Sequence, residues 1–372
     1  MITVVEVRTP AQRRAFIRFP LQLYKGVEEF VPPLNSSERK ILDGRSGHEG
    51  DSKSIFFLAY KDGKLAGRIQ GIIQMAANAK WNQARCRFTR FDCIDDQAVA
   101  DALFEHVEEW ARGHGMREVV GPLGYSDLDR EGLLIEGFDQ ASTFEEQYSY
   151  PYYPELIESR GYTKEVDWVE RKLFPPREVD PKIEKLVNRI MERNGFRVLK
   201  GLSMKQIIDR YANKFFALID ETYANLYGTV PLTDGEKADI LSDFKLLLNP
   251  NYIRLIVDRE DNLVALGLCL PSIGEAVRRS KGRLTPLSLI RIMRSARHPR
   301  VLDLGLIGVA EQHRNTGVSW AILLEVMKML KSGQIEWCET NLNLEDNKNI
   351  QNNWDRFESV LHKRRRCYIK TL

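Results

Sequence analysis

Six residues, Arg314-Asn315-Thr316-Gly317-Val318-Ser319, separate an apolar run that reads as a strand, 302–309, from one that reads as a helix, ending near Leu330. A strand feeding directly into a helix leaves the first helical N–H groups unpaired and turns the positive end of the helix dipole outward. Such a turn can hold a diphosphate on its backbone amides. Gly317 keeps a Cβ out of the approach, Arg314 adds a fixed positive charge, and Ser319 is small enough for the first helical turn to sit close. The plainer alternative is an ordinary helix start, capped by Thr316 or Ser319, with Arg314 solvated.

A second stretch carries a different chemistry. Residues 121–155 hold eight acids, including Asp127, Asp129 and Glu136, against one base, Arg130, and seven aromatics, among them Tyr125, Tyr152 and Tyr153. Carboxylates beside aromatic faces suit a cationic, amine-bearing ligand; the alternative is an inserted hairpin with a solvated face. The run Asp127-x-Asp129-x-Glu131 hints at a calcium loop, but Phe138 stands where such a loop needs a bidentate glutamate. A third stretch, 274–300, has eight Lys/Arg and one acid, Glu275, with Leu287, Ile290, Met293 and Ala296 at helical spacing. It suits a lid over an acyl chain, a peripheral contact with anionic lipid, or a grip on an acidic partner. The plain reading is a basic helix packed on its domain by that apolar stripe.

The elements that must position these residues appear twice. "LYKGVEEFVPPLNSSE" (23–38) is echoed by "LYGTVPLTDGE" (226–236). Each precedes two apolar strands joined by Asp with Gly or Asn, "IFFLAYKDGKLAGRIQGII" and "YIRLIVDREDNLVALGLCL", a strong hairpin signal. Val31 to Gly67 spans 36 residues and Val230 to Gly267 spans 37. After each hairpin come a strand and an amphipathic helix, one with Val99, Leu103, Val107 and Trp110 on a stripe, the other with Trp320, Leu323, Leu324, Met327 and Leu330. A strand, a short helix and a last strand follow in both halves. The fold class is therefore α/β, a mixed sheet with helices, built twice. Prolines in "LFPPREVDP" place the join near 173–181, giving domains at 1–175 and 182–372. "HKRRRC" reads as an alternating last strand with exposed arginines.

Strand, then Val309, then Arg314-x-x-Gly317-x-Ser319, then helix resembles the GNAT acyltransferase superfamily, whose pattern is Gln/Arg-x-x-Gly-x-Gly/Ala. The element order in each half is similar to that fold as well, so the likeness covers nearly the whole chain. Runs such as "GPLGYSDLDREGLLIEGFD" look like a bacterial group of tandem GNAT proteins. Ala310-Glu311 replaces the usual x-Pro, and Ser319 the last small residue. The resemblance implies acetyl-CoA or a longer acyl-CoA as co-substrate, with the diphosphate on 314–319, pantetheine beside Ile307, Gly308 and Val309, and Asn347 touching the CoA arm. It implies acyl transfer to a small-molecule or peptide amine by direct attack, with Asp303 taking the amine proton. The family's usual thiolate acid, a tyrosine, is replaced by Phe357. That substitution leaves a non-catalytic acyl-CoA sensor or scaffold as an alternative, alongside long-chain acyl or aminoacyl transfer.

The first half has no matching turn: Gln97-Ala98-Val99-Ala100 lacks the glycine and the arginine, and Asp95 and Asp96 would repel a diphosphate. It reads as a degenerate repeat that lends its 121–155 stretch to an acceptor groove between the halves. Bulk properties fit. A net charge of +3 does not call for nucleic acid, and five cysteines without a CxxC suggest neither a disulfide framework nor a metal site. The opening "MITVVEVRTP" reads as a strand rather than a signal peptide, so the cytoplasm is the expected compartment.

Overall fold

The structure is a computed structural model that describes residues 1–45, 47, 50–244 and 247–372. The chain folds as two compact units. One comprises Met1–Val169, Gly274–Leu289 and His362–Leu372; the other comprises Glu170–Ile273 and Ile290–Leu361. This differs from the expected division at 175–182, because two late segments pack with the first unit.

The first unit runs β1 (Ile2–Glu6), α1 (Pro10–Leu23), α2 (Asn35–Leu42), β2 (Ser52–Lys61), β3 (Lys64–Gln74), α3 (Met75–Trp81), β4 (Arg85–Cys93), α4 (Gln97–Gly113), β5 (Glu118–Gly121), β6 (Leu133–Glu136), α5 (Tyr153–Glu158) and most of β7 (Thr163–Leu173). The β2–β3 hairpin turns at Asp62 and Gly63, both at positive φ, the backbone that an Asp-Gly pair supplies at least strain. β4 and β5 are parallel, joined across by α4, whose Val99, Leu103, Val107 and Phe104 are buried with Phe88 and Phe91 of β4. The stripe expected on α4 is therefore the packed one, with Trp110 at its edge.

The second unit begins with α6 (Pro181–Asn194), β8 (Arg197–Val198), α7 (Met204–Tyr223) and α8 (Asp234–Phe244). It continues through β9 (Ile253–Val257), β10 (Leu263–Pro271), α9 (Gly274–Ser280, which packs with the first unit) and α10 (Pro286–Arg297), whose residues to Leu289 belong to the first unit as well. Then follow β11 (Val301–Val309), a 3-10 turn (Glu311–Thr316), α11 (Val318–Ser332), β12 (Trp337–Thr340), β13 (Asn343–Leu344), α12 (Lys348–Trp354) and the final strand β14 (Ser359–Thr371), whose residues from His362 on belong to the first unit. Its sheet runs β12-β11-β10-β9-β8, antiparallel except for the parallel β11–β12 pair. α11 crosses between that pair as α4 does between β4 and β5, so the two halves do share one plan. α11 is buried over more than its expected stripe: Val318, Ala321, Ile322, Val326 and Met329 are inside, while Trp320 and Met327 only border the core.

The last strand departs from expectation. The end of β14 lies antiparallel to β5 in the first unit, with Tyr368 opposite Gly121 and Thr371 opposite Glu118. It is an alternating strand, with Arg364 and Arg366 partly exposed, but the basic residues that alternate with them face inward. Lys363 and Arg365 are wholly buried on Glu146, and Arg366 pairs with Asp167 at 2.8 Å. Burying two cations is tolerable only with a charged partner and carbonyls in reach. Lys363 Nζ has Glu146 Oε2 at 2.9 Å, and Arg365 also donates to the Gln147 carbonyl.

Candidate functional site

In the second unit β11 and β12 pair only from Val301↔Trp337 to Leu304↔Thr340. β12 then stops, whereas β11 continues to Val309 against β10 alone. The edge of β11 from Gly305 onward is thus released from its parallel neighbour, and it leads straight to the 314–319 turn. Two side chains hold this edge. Asn341 donates to the Gly305 carbonyl at 3.0 Å. The Tyr223 hydroxyl, at the end of α7, donates to the Ile307 carbonyl at 3.1 Å and accepts from the Ile307 amide at 3.3 Å. Gly308 is glycine because Thr222 approaches: an added Cβ would lie 3.0 Å from its Oγ1.

The turn itself is a 3-10 segment ending at Gly317, which adopts φ +86° and serves as the N-cap of α11. No side chain caps this helix. The Thr316 hydroxyl, a candidate cap, instead donates to the His313 carbonyl at 2.7 Å. Gly317 is needed for its left-handed dihedral, which costs an alanine about 1–2 kcal/mol. It is also needed for closeness to α6, since an added Cβ would lie 3.0 Å from Ile190 Cδ1. That methyl would face Ile190, so the expectation that glycine clears room for a ligand is not what the geometry shows. Arg314 is half exposed and leans on Glu311 at 3.6 Å, a weak pair that leaves its guanidinium able to swing. The Glu311 amide is taken by Glu221 Oε1 at 2.6 Å. A second guanidinium, Arg356 after α12, lies over the Trp320 ring at 3.7 Å, next to Ser319 in the first turn of α11.

The equivalent position in the first unit is closed. α4 starts at Asp96, whose carboxylate accepts from the Val99 amide at 3.2 Å and is bonded by Lys61. One helix N-terminus already carries its own anion; the other carries none.

The remaining expected residues are placed as follows. Asp303 is buried on β11, in register with Glu339 of β12 and Leu270 of β10. Asn347 is the N-cap of α12, its side chain accepting from the Ile350 amide at 3.3 Å. Phe357 is buried against Trp354, whose indole N–H donates to Asn343. In the 121–155 stretch the tyrosine hydroxyls point inward. Tyr125 shares hydrogen bonds with Ser54 and Gln70 at 2.6 and 2.8 Å, Tyr152 donates to the Cys93 carbonyl at 2.8 Å, and Tyr153 meets Tyr24 and the Cys93 amide. Asp129 is folded back on the Tyr125 amide at 2.7 Å. Glu136 is exposed and pairs with Arg364 at 3.3 Å. Asp127 is partly buried, and that burial pushes its carboxyl up to about 6; Glu131, deeper, is pushed well above the usual range by the same cause.

Around them lies a polar network that the sequence did not announce. Arg68 donates to Asp92 at 2.7 Å, Tyr24 to Asp92 at 2.9 Å, Arg90 to Glu38 at 3.0 Å and to Gln70 at 2.8 Å. Most members come from elements 20 to 70 residues apart, so no local spacing marked them. Tyr223 was missed for the same reason, sitting 84 residues from the strand it touches.

Comparison with known proteins gives three results. No family model matches the chain. Protein YghO of Escherichia coli (strain K12) is 26% identical over 380 residues, covering 96% of this chain and 93% of that protein. The bacterial ceramide synthase of Caulobacter vibrioides (strain NA1000 / CB15N) is 25% identical over 296 residues, covering 78% and 76%. Among solved structures, a tandem GNAT protein from the clavulanic acid biosynthesis pathway superposes with a TM-score of 0.55 at 11% identity, covering 100% of this chain and 98% of that one. A GCN5-related N-acetyltransferase from Sphaerobacter thermophilus gives 0.52 at 13% identity, covering 100% and 95%. The chain has the tandem GNAT fold.

Proposed function

We propose that the second unit binds an acyl-CoA at the junction of β11 and α11 and transfers its acyl group to an amine. The observation that carries this reading is the contrast between the two helix starts: α4 is closed by Asp96, whereas α11 begins at a left-handed glycine with no side-chain cap. Amides of Val318 and Ser319, at the start of α11, would take the diphosphate with Asn315 and Thr316 bordering it, and Arg314 would leave Glu311 to meet its charge. Pantetheine would lie along the released edge of β11 at Ile307–Val309, where its amides replace the Tyr223 hydroxyl. Asn347 would contact the CoA arm from the start of α12.

In the reaction the amine nitrogen attacks the thioester carbonyl carbon, the C–N bond forms, the C–S bond breaks and CoA leaves as thiolate. The amine must first lose a proton, and Asp303 is the strand carboxylate we assign to that task, directly or through water. Backbone N–H near Val309 would steady the oxyanion. Phe357 offers no proton to the thiolate, so water would supply it.

A long-chain version of this reaction has its own support. Ceramide is an N-acylated long-chain amino alcohol, so the name of the Caulobacter relative describes amide formation on a lipid. We extend that chemistry to this chain as a preference for a long-chain acyl donor or amine. Calorimetry with acetyl-CoA and with palmitoyl-CoA tests binding. We expect micromolar affinity, tighter for the long chain, and at least a tenfold loss in Arg314→Glu with an unchanged melting temperature. No heat with either thioester at high micromolar concentration ends the reading. Binding without amide product across short- and long-chain amines establishes the sensor alternative instead.

A further inference from the structure

α10 turns three of the four residues of its expected stripe outward and buries the fourth, Ala296. Ser288, Ile292 and Ala296 form the buried face, whereas Leu287, Ile290 and Met293 are 57%, 62% and 38% exposed, and Leu284 just before the helix is 46% exposed. On a helical wheel the exposed trio shares its side with Arg291, Arg294 and Arg297, which are exposed as well. Thr285 accepts from the Ser288 amide at 3.2 Å and Pro286 follows it, so the helix start is fixed and the outward face is set by the fold.

Charge on this face is one-sided. From Ala276 to Leu302 there is no Asp or Glu. Arg278, Arg279 and Arg300 are engaged with the Glu28 carbonyl, Glu275 and Glu336. Lys281, Arg283, Arg291, Arg294 and Arg297 have no ion-pair partner among the described residues. Large apolar side chains exposed in a row are unusual on a soluble surface. Interleaved with unpaired arginines, they match an interface with an apolar interior and an anionic rim.

We propose that α10, with the preceding loop from Lys281, docks on the surface of a membrane containing anionic lipid. Leu284, Leu287, Ile290 and Met293 enter the acyl boundary, and the five cations lie among the headgroups. The helix is about 18 Å long and would lie in the interface plane. Among the described residues no helix is long and apolar enough to cross a membrane, so the contact is peripheral. This inference rests on the exposed face of α10 and is independent of the acyl-CoA reading.

The test is flotation of the full chain with vesicles of phosphatidylcholine alone and of phosphatidylcholine with 30% phosphatidylglycerol. Binding to the anionic vesicles, weakened by raising salt from about 0.1 to 0.5 M, is expected. Arg291→Gln with Arg294→Gln should lower the partition coefficient about fivefold per arginine. Leu287→Ser with Ile290→Ser should lower it at least tenfold, with the melting temperature held because both positions are exposed. Failure to float with anionic vesicles at low salt overturns the proposal. So does flotation that the apolar pair does not affect, because the exposed apolar row would then not be entering the acyl boundary. Equal binding to neutral vesicles overturns the role of the cations.

Discussion

Replacing Gly317 with alanine separates the two things that this residue does. At φ +86° an alanine loses about 1–2 kcal/mol relative to glycine. Its Cβ also meets Ile190 Cδ1 at 3.0 Å, a contact with the far end of a flexible side chain that gives way at small cost. For a unit of this size, 1–2 kcal/mol lowers the melting temperature by about 2–8 °C. If alanine instead relaxes the turn out of the left-handed region, the amides of Val318 and Ser319 rotate away from their common target. One lost hydrogen bond to a charged phosphate is worth about 1.5–3 kcal/mol, so acyl-CoA should bind about 10- to 100-fold more weakly. Calorimetry measures the second effect and thermal unfolding the first. Ile190→Val removes the Cδ1 atom and serves as the control: added to Gly317→Ala it should recover part of the stability and none of the affinity. Affinity within twofold of the native chain, or affinity restored by Ile190→Val, refutes the assignment of the turn as the diphosphate site.

Two further outcomes follow from single contacts. Tyr223→Phe removes the hydroxyl from both polar atoms of Ile307; it should cost about 1 kcal/mol of stability and leave acyl-CoA affinity equal or higher, because the hydroxyl competes with pantetheine. A tenfold weaker titration in calorimetry would make Tyr223 a ligand contact instead. Asp127 has a folded-state carboxyl pushed above its unfolded value to about 6, so the stability linked to it is present below about pH 4 and is lost as pH rises through 6. Asp127→Asn cannot titrate, so its stability relative to the native chain should rise between pH 4 and 6.5 by at most about 3 kcal/mol, read from urea unfolding at each pH. A difference that stays flat would show that the side chain is solvated.

The parts of the fold legible in the sequence are those written in local spacing. Asp62-Gly63 demands positive φ at both residues, and the β2–β3 hairpin turns there. The stripe of Val99, Leu103 and Val107 is apolar on one side only, and α4 buries that side. α10 shows where such reasoning fails. Its sequence offers the row Leu287-Ile290-Met293-Ala296 and, across the helix, Ile292, and periodicity does not say which side faces the protein; Ile292 and Ala296 are the buried ones. Tertiary packing made that choice. The acids of 121–155 fail for a related reason: Glu146 is consumed by Lys363 and Arg365, 217 and 219 residues away, so a surplus of charge within one stretch was not a surplus in the folded unit.

The same distinction explains why a degenerate repeat is visible twice over. In sequence the first half lacks the glycine and arginine of the turn; in the structure the consequence is an aspartate cap whose charge fills the dipole that a diphosphate would need. A carboxylate cap stabilises a helix by about 0.5–2 kcal/mol in every molecule at all times, whereas a diphosphate does so only when bound. On the proposed reading the first repeat, with no diphosphate to hold, carries a permanent anion instead, Asp96, tied to Lys61. α11 has forgone that gain. It begins at a left-handed glycine with no side-chain hydrogen bond to its first amides, the start that the proposed diphosphate would complete.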